Sequence, residues 1–448
     1  MAASSGTSFP RRRRVVKPAA VADAVRAWPN DRMRIIVIGA GIVGLTTAWW
    51  LARDGHVVTV LDRAGSAGQG ASFANGAQLS YAYVAPLAAP SVLRSLPKWL
   101  LSGDSPVRVR LAADPAQWAW LLAFLRACTA AASDAATAKL VALAILSRAS
   151  LHEMLEATPV AFCHRRNGKL VVQSSAAGMA EAQRQMRLQA AFGCRQEALG
   201  RGACLALEPS LAAIGDRLVG GILTPDEEVG DCRLLCEGLH AALAAPPFGV
   251  RFLLGTEVLR LVPAGGRLNA LRTSAGDLDA DAFVLAAGAQ AARLARAAGV
   301  RLAVQPVRGY SITAPLRPGN RAPVRSITDA ARKVVYAPLG DTMRVAGFAE
   351  IGGDGERTHQ DRVAALAREL ATTFPGVCEP GEAAGWSGLR PATPTSLPLI
   401  GATRVRNLFV NAGQGALGFT LAAGSARLLA DIVAGRTPPL PAADYAVR

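Results

Sequence analysis

The residues equipped for chemistry gather near the two ends of the chain. Near its start, Gly39, Gly41 and Gly44 stand at G-x-G-x-x-G spacing directly after the apolar run 34–38, the pattern of a buried strand turning into a helix. Gly39 permits the tight turn, Gly41 lets backbone come close to a pyrophosphate, and Gly44 lets the helix pack on the strand. The N–H groups of this turn, through Ala40, Ile42 and Val43, then face an anion together with the positive end of the helix dipole. Asp62 closes the following strand, where its carboxylate can accept hydrogen bonds from both hydroxyls of an adenosine ribose, with Arg63 beside it. An acid at that place disfavours a 2′-phosphate, which leaves FAD or NAD. In a chain with 44 glycines a lone motif says little, so the weight rests on strand, helix, strand and acid following one another in order.

Near the other end, 408–412 reads as a strand, and Gly413, Gly415 and Gly418 repeat the spacing before a helix over 420–433. The chain ends soon after, with no room for a second strand and ribose acid, so this is no second dinucleotide unit. A glycine-rich helix start is still an anion site, suited to the charge that reduced flavin carries over N1 and its C2 carbonyl. Gly413, Gly415, Leu417, Gly418 and Thr420 are therefore candidates for the ring end of FAD. Between the two ends, Ser72, Asn75 and Gln78 are the hydrogen-bonding members of an almost uncharged loop able to wrap a cofactor. The run 283–288, FVLAAG, is a buried strand ending in small residues, so Ala287 and Gly288 can abut the ligand; Val258 joins them as a cofactor contact. No further fingerprint appears mid-chain, where an NAD-linked flavoprotein reductase would carry one, and the dinucleotide is read as FAD.

The remaining composition sets limits. At 448 residues the chain suits two domains, and 51% hydrophobic residues with 5% aromatics describe an Ala/Leu/Val-rich globular enzyme. The net charge is +16, but the 49 Lys and Arg residues are scattered and no basic helix with interleaved aromatics stands out, which argues against nucleic-acid binding. An anionic substrate or membrane surface stays compatible. Seven cysteines without a C-x-x-C pair read as core thiols in a reducing cytoplasm. Cys232 and Cys236 share a helix face, but they read as buried core thiols, and no metal site is expected. No apolar run of the ~18 residues needed for a membrane span is seen. Residues 1–32 carry Arg11 to Arg14 without an apolar run behind them and read as a disordered extension, with Met33 an alternative start.

These pieces predict an α/β plus α+β protein: a Rossmann-like FAD-binding domain of the glutathione-reductase type, interleaved with an antiparallel-sheet substrate domain. The first is assigned 33–90, 139–160, 215–300 and 385–440; the second, a cap, 91–138, 161–214 and 301–384. Within the cap, Trp99, Trp118 and Trp120 mix with Arg94, Lys98, Arg108, Arg110 and Arg126. That mixture fits a half-buried cap helix somewhat better than a peripheral contact with the inner face of the cell membrane. The segment 385–401, GWSGLRPATPTSLPLIG, reads as a proline-rich loop returning the chain to the first domain.

Several segments, SFANGAQLSYAYVAPLAAP, LTPDEEVGDCRLL, PVRGYSIT, RVAGFAEIGG, GWSGLRPATP and NAGQGALGFTLAAGSARLLADIVAGRTP, resemble the bacterial FAD-dependent D-amino acid dehydrogenases of the small-subunit type. These belong to the wider D-amino acid oxidase and glycine oxidase superfamily. The resemblance runs from Met33 to about Pro441. It implies oxidation of a D-amino acid to the imino acid by hydride transfer from Cα to flavin N5, hydrolysis to the 2-oxo acid and ammonia, and electrons passed to a quinone or other carrier. It also implies that Arg390 grips the substrate carboxylate, with Tyr310 and Tyr336 as weaker candidates for substrate hydroxyl contacts. Gln414 stands where the family commonly has His, and Thr395-Ser396 where it has Asp-Gly. Gln can donate a hydrogen bond to flavin or substrate but cannot carry a proton. No cysteine lies between Trp386 and Gly401, where sarcosine-oxidase relatives attach flavin, so dissociable FAD is expected. Two other readings stay open: an oxidase or dehydrogenase of glycine, sarcosine or D-hydroxyproline, and a non-catalytic flavin-binding electron-transfer subunit.

Overall fold

The computed structural model describes residues 32–93, 105–319, 322–352 and 359–447. The N-terminal extension through residue 31, and Arg94, Lys98 and Trp99, lie outside them.

Two large sheets organise the fold. The first runs in the order Leu399–Ala402, Leu408–Ala412, Ala282–Leu285, Arg34–Ile38, Val57–Asp62, Arg251–Leu254. All neighbours are parallel except the outermost pair, Leu399–Ala402 with Leu408–Ala412. Arg34–Ile38 lies inside this sheet with Ile35, Ile36, Val37 and Ile38 buried, which is why its sequence is an unbroken apolar run. The helix Ile42–Arg53 crosses over to Val57–Asp62, completing the expected strand–helix–strand unit. The helix Gly418–Val433 packs between Ile42–Arg53 and Ala130–Ala157. Gly424 makes that approach possible: a Cβ there would stand 2.7 Å from the backbone nitrogen of Ser147, whose Oγ accepts the Gly424 N–H at 3.0 Å.

The second sheet has nine strands, in the order Ala384–Ala392, Gln305–Pro315, Thr342–Ile351, Val334–Leu339, Ser326–Asp329, Lys169–Gln173, Gly220–Thr224, Glu197–Gly200, with Val107–Val109 also paired to Thr342–Ile351. It is antiparallel apart from two pairs. One face carries Tyr310, Ile312, Tyr336 and Val345 against Leu366 and Leu370 of the helix Gln360–Thr373. The opposite face meets the loop after Asp62: Ser311 Oγ donates to the Ala74 carbonyl at 2.5 Å, and Gly76 lies against Val335 and Ala346.

Several expectations need correction. Residues 385–401 are not one loop. Ala384–Ala392 is a strand paired along Gln305–Pro315, from Thr313↔Ala384 to Gln305↔Ala392. Its glycines and its proline conceal it, yet it is an edge strand, where Pro391 is tolerated. Residues 220–224 and 385–392, assigned by sequence to the FAD domain, thus hydrogen-bond into the large antiparallel sheet. The helix Ala130–Ala157 starts where Thr129 Oγ1 accepts the Ala132 N–H. By length and hydropathy, Ala130–Ala157 and 415–433 could cross a membrane, which the sequence reading did not register. Both carry much of their apolar surface in the core. The helix Cys232–Ala244 is capped by Asp231, whose carboxylate accepts the Arg233 and Leu234 N–H groups.

Candidate active site

The glycine turn is built from three backbone approaches. A Cβ on Gly39 would lie 2.5 Å from the Ala286 carbonyl oxygen, and one on Gly44 would overlap the Gly39 carbonyl. Both glycines are therefore demanded by the protein itself. Gly41 differs: its φ of −79° suits any residue, and the nearest atom to a Cβ there is Ser72 Oγ at 3.4 Å. Among the described residues nothing requires glycine at 41, and a Cβ there would fill open space beside the turn.

Asp62 sits as expected at the end of its strand, but its carboxylate also fastens the turn. Oδ2 accepts from the Ala40 N–H at 2.7 Å and Oδ1 from Ala64 at 2.9 Å. Each oxygen keeps lone-pair capacity for a ribose hydroxyl. The exposed Arg63 follows it. Ser72 Oγ accepts the Ile42 N–H at 3.0 Å, which places the wrapping loop over the first turn of the helix, Ile42 and Val43. Asn75 turns its side chain back on Ala77 at 2.9 Å, and so braces the loop rather than reaching out. Gln78 Nε2 is buried with no partner, a donor that awaits an acceptor. The contact of Gly39 with Ala286 brings Ala287 and Gly288 beside the turn, and the Thr256 N–H, two residues before Val258, donates to the Asp62 carbonyl.

At the other end, Gly413 and Gly415 have positive φ, +87° and +57°. The helix Gly418–Val433 starts without a side-chain cap at Leu417, and Thr420 Oγ1 accepts the Ser80 N–H at 2.9 Å. Gln414 is 2% exposed and directs its amide to Asn411 at 2.7 Å, which in turn reaches Thr47 at 3.0 Å. It pins the turn to the first helix instead of facing a substrate, contrary to the catalytic role expected of it.

Strand alternation decides which side chains of the large sheet reach this site. Ser311 faces the cofactor loop, and its cross-strand partner Trp386 shares that face, its ring 6.4 Å from Phe73 of the loop. Two and four residues on, Gly388 and Arg390 continue the same face. The Arg390 guanidinium lies over Gly309, where any Cβ would collide with it, and donates to the Phe348 carbonyl at 3.0 Å. Phe348 holds a φ of +61°, unusual for a bulky residue, at a register shift of the strand pair. Among the described residues no carboxylate pairs with Arg390, and burial pushes its guanidinium down to about 10. A half-buried cation without a carboxylate partner is chemically suited to bind one.

The two tyrosines are a correction. Tyr310 and Tyr336 alternate with Ser311 and Val335 and so point to the far face. The Tyr310 hydroxyl donates to Glu350 at 2.6 Å and Tyr336 bonds Thr373 at 2.9 Å, with both rings at most 1% exposed. They are core residues without access to a substrate. Sequence reading missed Gly309, Trp386 and Phe348, because their roles depend on register. It also missed a buried strap over residues 78–83. There Lys169 donates to Ser80 Oγ at 2.8 Å, and Glu227 Oε1 accepts the Ala82 N–H at 2.8 Å and that of Tyr83 at 3.3 Å. Burial pushes the Lys169 ammonium down to about 8.

The residues present fit FAD: a cradle at Gly41 that a Cβ would fill, an orphaned Gln78 donor and two glycine-opened helix starts. Gly41→Ala is expected to leave the thermal stability of the apoprotein within about 1 kcal/mol, as for a small change without a clash, while weakening FAD binding at least about tenfold. Flavin release measured by fluorescence checks it, and unchanged retention contradicts the cradle.

A family model described as FAD dependent oxidoreductase matches residues 34–432. The D-amino acid dehydrogenase 2 of Ralstonia nicotianae is 46% identical over 425 residues, covering 93% of this chain and 100% of that protein. The D-amino acid dehydrogenase 2 of Pseudomonas aeruginosa is 44% identical, covering 91% of this chain and 96% of its own length. Among solved structures, glycine oxidase from Geobacillus kaustophilus superposes with a TM-score of 0.73 at 23% identity, covering 93% of this chain and 98% of the other, which shows a common fold. With that match over the glycine turn, the sheet face and the final helix together, the chain belongs to the FAD dependent oxidoreductase family.

Proposed function

We propose that this protein oxidatively deaminates D-amino acids, releasing 2-oxo acid and ammonia once the imino acid meets water. The observation that carries the reading is Arg390, a cation without a carboxylate partner among the described residues, on the sheet face turned toward the cofactor loop. The names of the relatives supply the substrate class. FAD, when bound, supplies the acceptor for the hydride from Cα. The chain's own residues bind and orient: Arg390 takes the carboxylate through two parallel N–H donors, Gly309 leaves room for its guanidinium, and Gly388 leaves room for the Trp386 ring. Trp386 walls the same face. Gln414 holds the ring-end turn in place through Asn411.

Arg390→Ala is expected to raise KM for the amino acid by roughly 100-fold, the loss of about two charge-assisted hydrogen bonds, with flavin content unchanged. Arg390→Lys should recover only part. Steady-state kinetics with a dye acceptor measures both, and an unchanged KM would refute the assignment.

We further propose that electrons leave to a quinone or other carrier, and that the protein works in the cytoplasm against an anionic membrane surface. The free state of all seven cysteines supports a reducing compartment. For the membrane, the helix Pro115–Ala127 buries Trp120 and Phe124 yet leaves Trp118, Leu122 and Leu125 exposed by 46%, 53% and 37%, one apolar ridge with the exposed Arg126 beside it. Flotation with phosphatidylglycerol vesicles should carry the holoprotein upward. The paired change Trp118→Ser with Leu122→Ser should cut the bound fraction at least about fivefold, as expected from removing two large apolar groups from an interface; no binding by the unaltered protein removes the membrane reading.

A further inference from the structure

His152, His164 and Glu228 are brought together from three separate segments, and neither the flavin cradle nor the Arg390 face uses them. His152 stands on the helix Ala130–Ala157, His164 on the segment bridged to Val229 through Arg165, and Glu228 on the short strand Glu228–Val229. Their ligand atoms lie within 4.8 Å of one another. His152 Nε2 is 2.8 Å from one carboxylate oxygen of Glu228, and His164 Nε2 is 2.8 Å from the other.

We propose that these three side chains form a site for a divalent transition-metal ion of the zinc type, with solvent or the Tyr81 hydroxyl completing the coordination.

Four observations support the site. The ligand types are two imidazoles and one carboxylate, the set that takes zinc with an open fourth position. The three ligand atoms lie within 4.8 Å of one another, against roughly 3.3 Å between neighbours in a tetrahedron of zinc bonds of about 2.0–2.1 Å, so the imidazoles, now hydrogen-bonded to Glu228 at 2.8 Å, need only small side-chain rotations to close on an ion. The proton arrangement is available too. Among the described residues neither Nδ1 has a hydrogen-bond partner, so each ring can carry its proton there and turn a lone pair on Nε2 toward an ion. The fourth is rigidity and access combined. Glu228 is 1% exposed while both histidines keep 19% of their side-chain surface, so an ion can enter from solvent and meet an anchored carboxylate. Phe162 stacks on the His164 ring at 4.8 Å and fixes its plane.

The surroundings set the affinity rather than forbid the ion. Arg148 and Arg166 each approach Glu228 Oε1 at 3.8 Å, beyond hydrogen-bond distance. Arg148 also reaches Asp226 at 3.5 Å, and the Arg166 side chain is 62% exposed, so both can yield the oxygen. Tyr81, whose hydroxyl lies 3.2 Å from Glu228 Oε2, belongs to the strap over residues 78–83. An ion here would therefore tie the long core helix, the 164 segment and that strap at one point. Sequence spacing gives no hint of it, since the ligands stand 12 and 64 residues apart in a chain with five histidines.

The test is zinc itself, added to chelator-stripped holoprotein and measured by atomic emission after desalting. The result expected is one zinc per chain, with affinity weakened at least about tenfold by His152→Gln and by His164→Gln, and unaffected by His240→Gln. Retained flavin absorbance confirms that each variant is folded. Absence of stoichiometric zinc in the unaltered protein overturns the proposal whatever the variants do. So does zinc that stays bound in both histidine variants, which would place it on thiols or other surface groups.

Discussion

Everything at this site hangs on how closely backbone can approach backbone at the glycine turn. Gly39 lies against the Ala286 carbonyl, Gly44 against Gly39, and the Ala40 N–H is held by Asp62 across the strand ends. These contacts register the ends of three parallel strands and the first helix to one another without intervening side chains. A methyl group at 39 or 44 would push the helix Ile42–Arg53 off its sheet. The cofactor cradle is therefore a product of packing before it is a product of binding. Gly41 is the position where the two demands separate, since there the protein alone has no need of glycine.

The second constraint is alternation in the large sheet. Adjacent residues on one strand serve different purposes: Ser311 contacts the cofactor loop while Tyr310 supports the helix behind the sheet, and Val335 and Tyr336 divide in the same way. On the edge strand, Trp386, Gly388 and Arg390 fall on the cofactor side. The cost of holding Arg390 there is visible in three places: a glycine beneath it, a left-handed Phe348 whose carbonyl it uses, and burial of a charge that nothing in the described structure neutralises. Such an arrangement is poor for stability and suited to binding an anion.

How much of this was legible in the sequence follows from range. The glycine turn, Asp62 and the closing glycine turn are local patterns, where neighbours in sequence are neighbours in space, and they were readable. Arg390 was singled out through resemblance. Tyr310 and Tyr336 were misread because a one-residue step on a strand reverses the face, and only the pairing with the next strand fixes which residue faces the site. The strand Ala384–Ala392 was hidden by its glycines and proline, residues tolerated at a sheet edge but contrary to strand propensity. Gln414 was assigned to chemistry from its place in the motif, and its side chain in fact turns inward to Asn411. The His152, His164 and Glu228 cluster and the Lys169 and Glu227 strap depend on contacts between distant segments, for which a single sequence holds no local signal.

The central claim is that the Arg390 face and the FAD cradle together make a D-amino acid oxidising site. Anaerobic addition of a panel of D-amino acids to the holoprotein, each compared with its L-enantiomer, tests it most directly through the visible flavin absorbance. The account predicts that at least one D-amino acid bleaches the flavin while its L-enantiomer leaves it oxidised. Bleaching by no D-amino acid, or equally by both enantiomers, would contradict it.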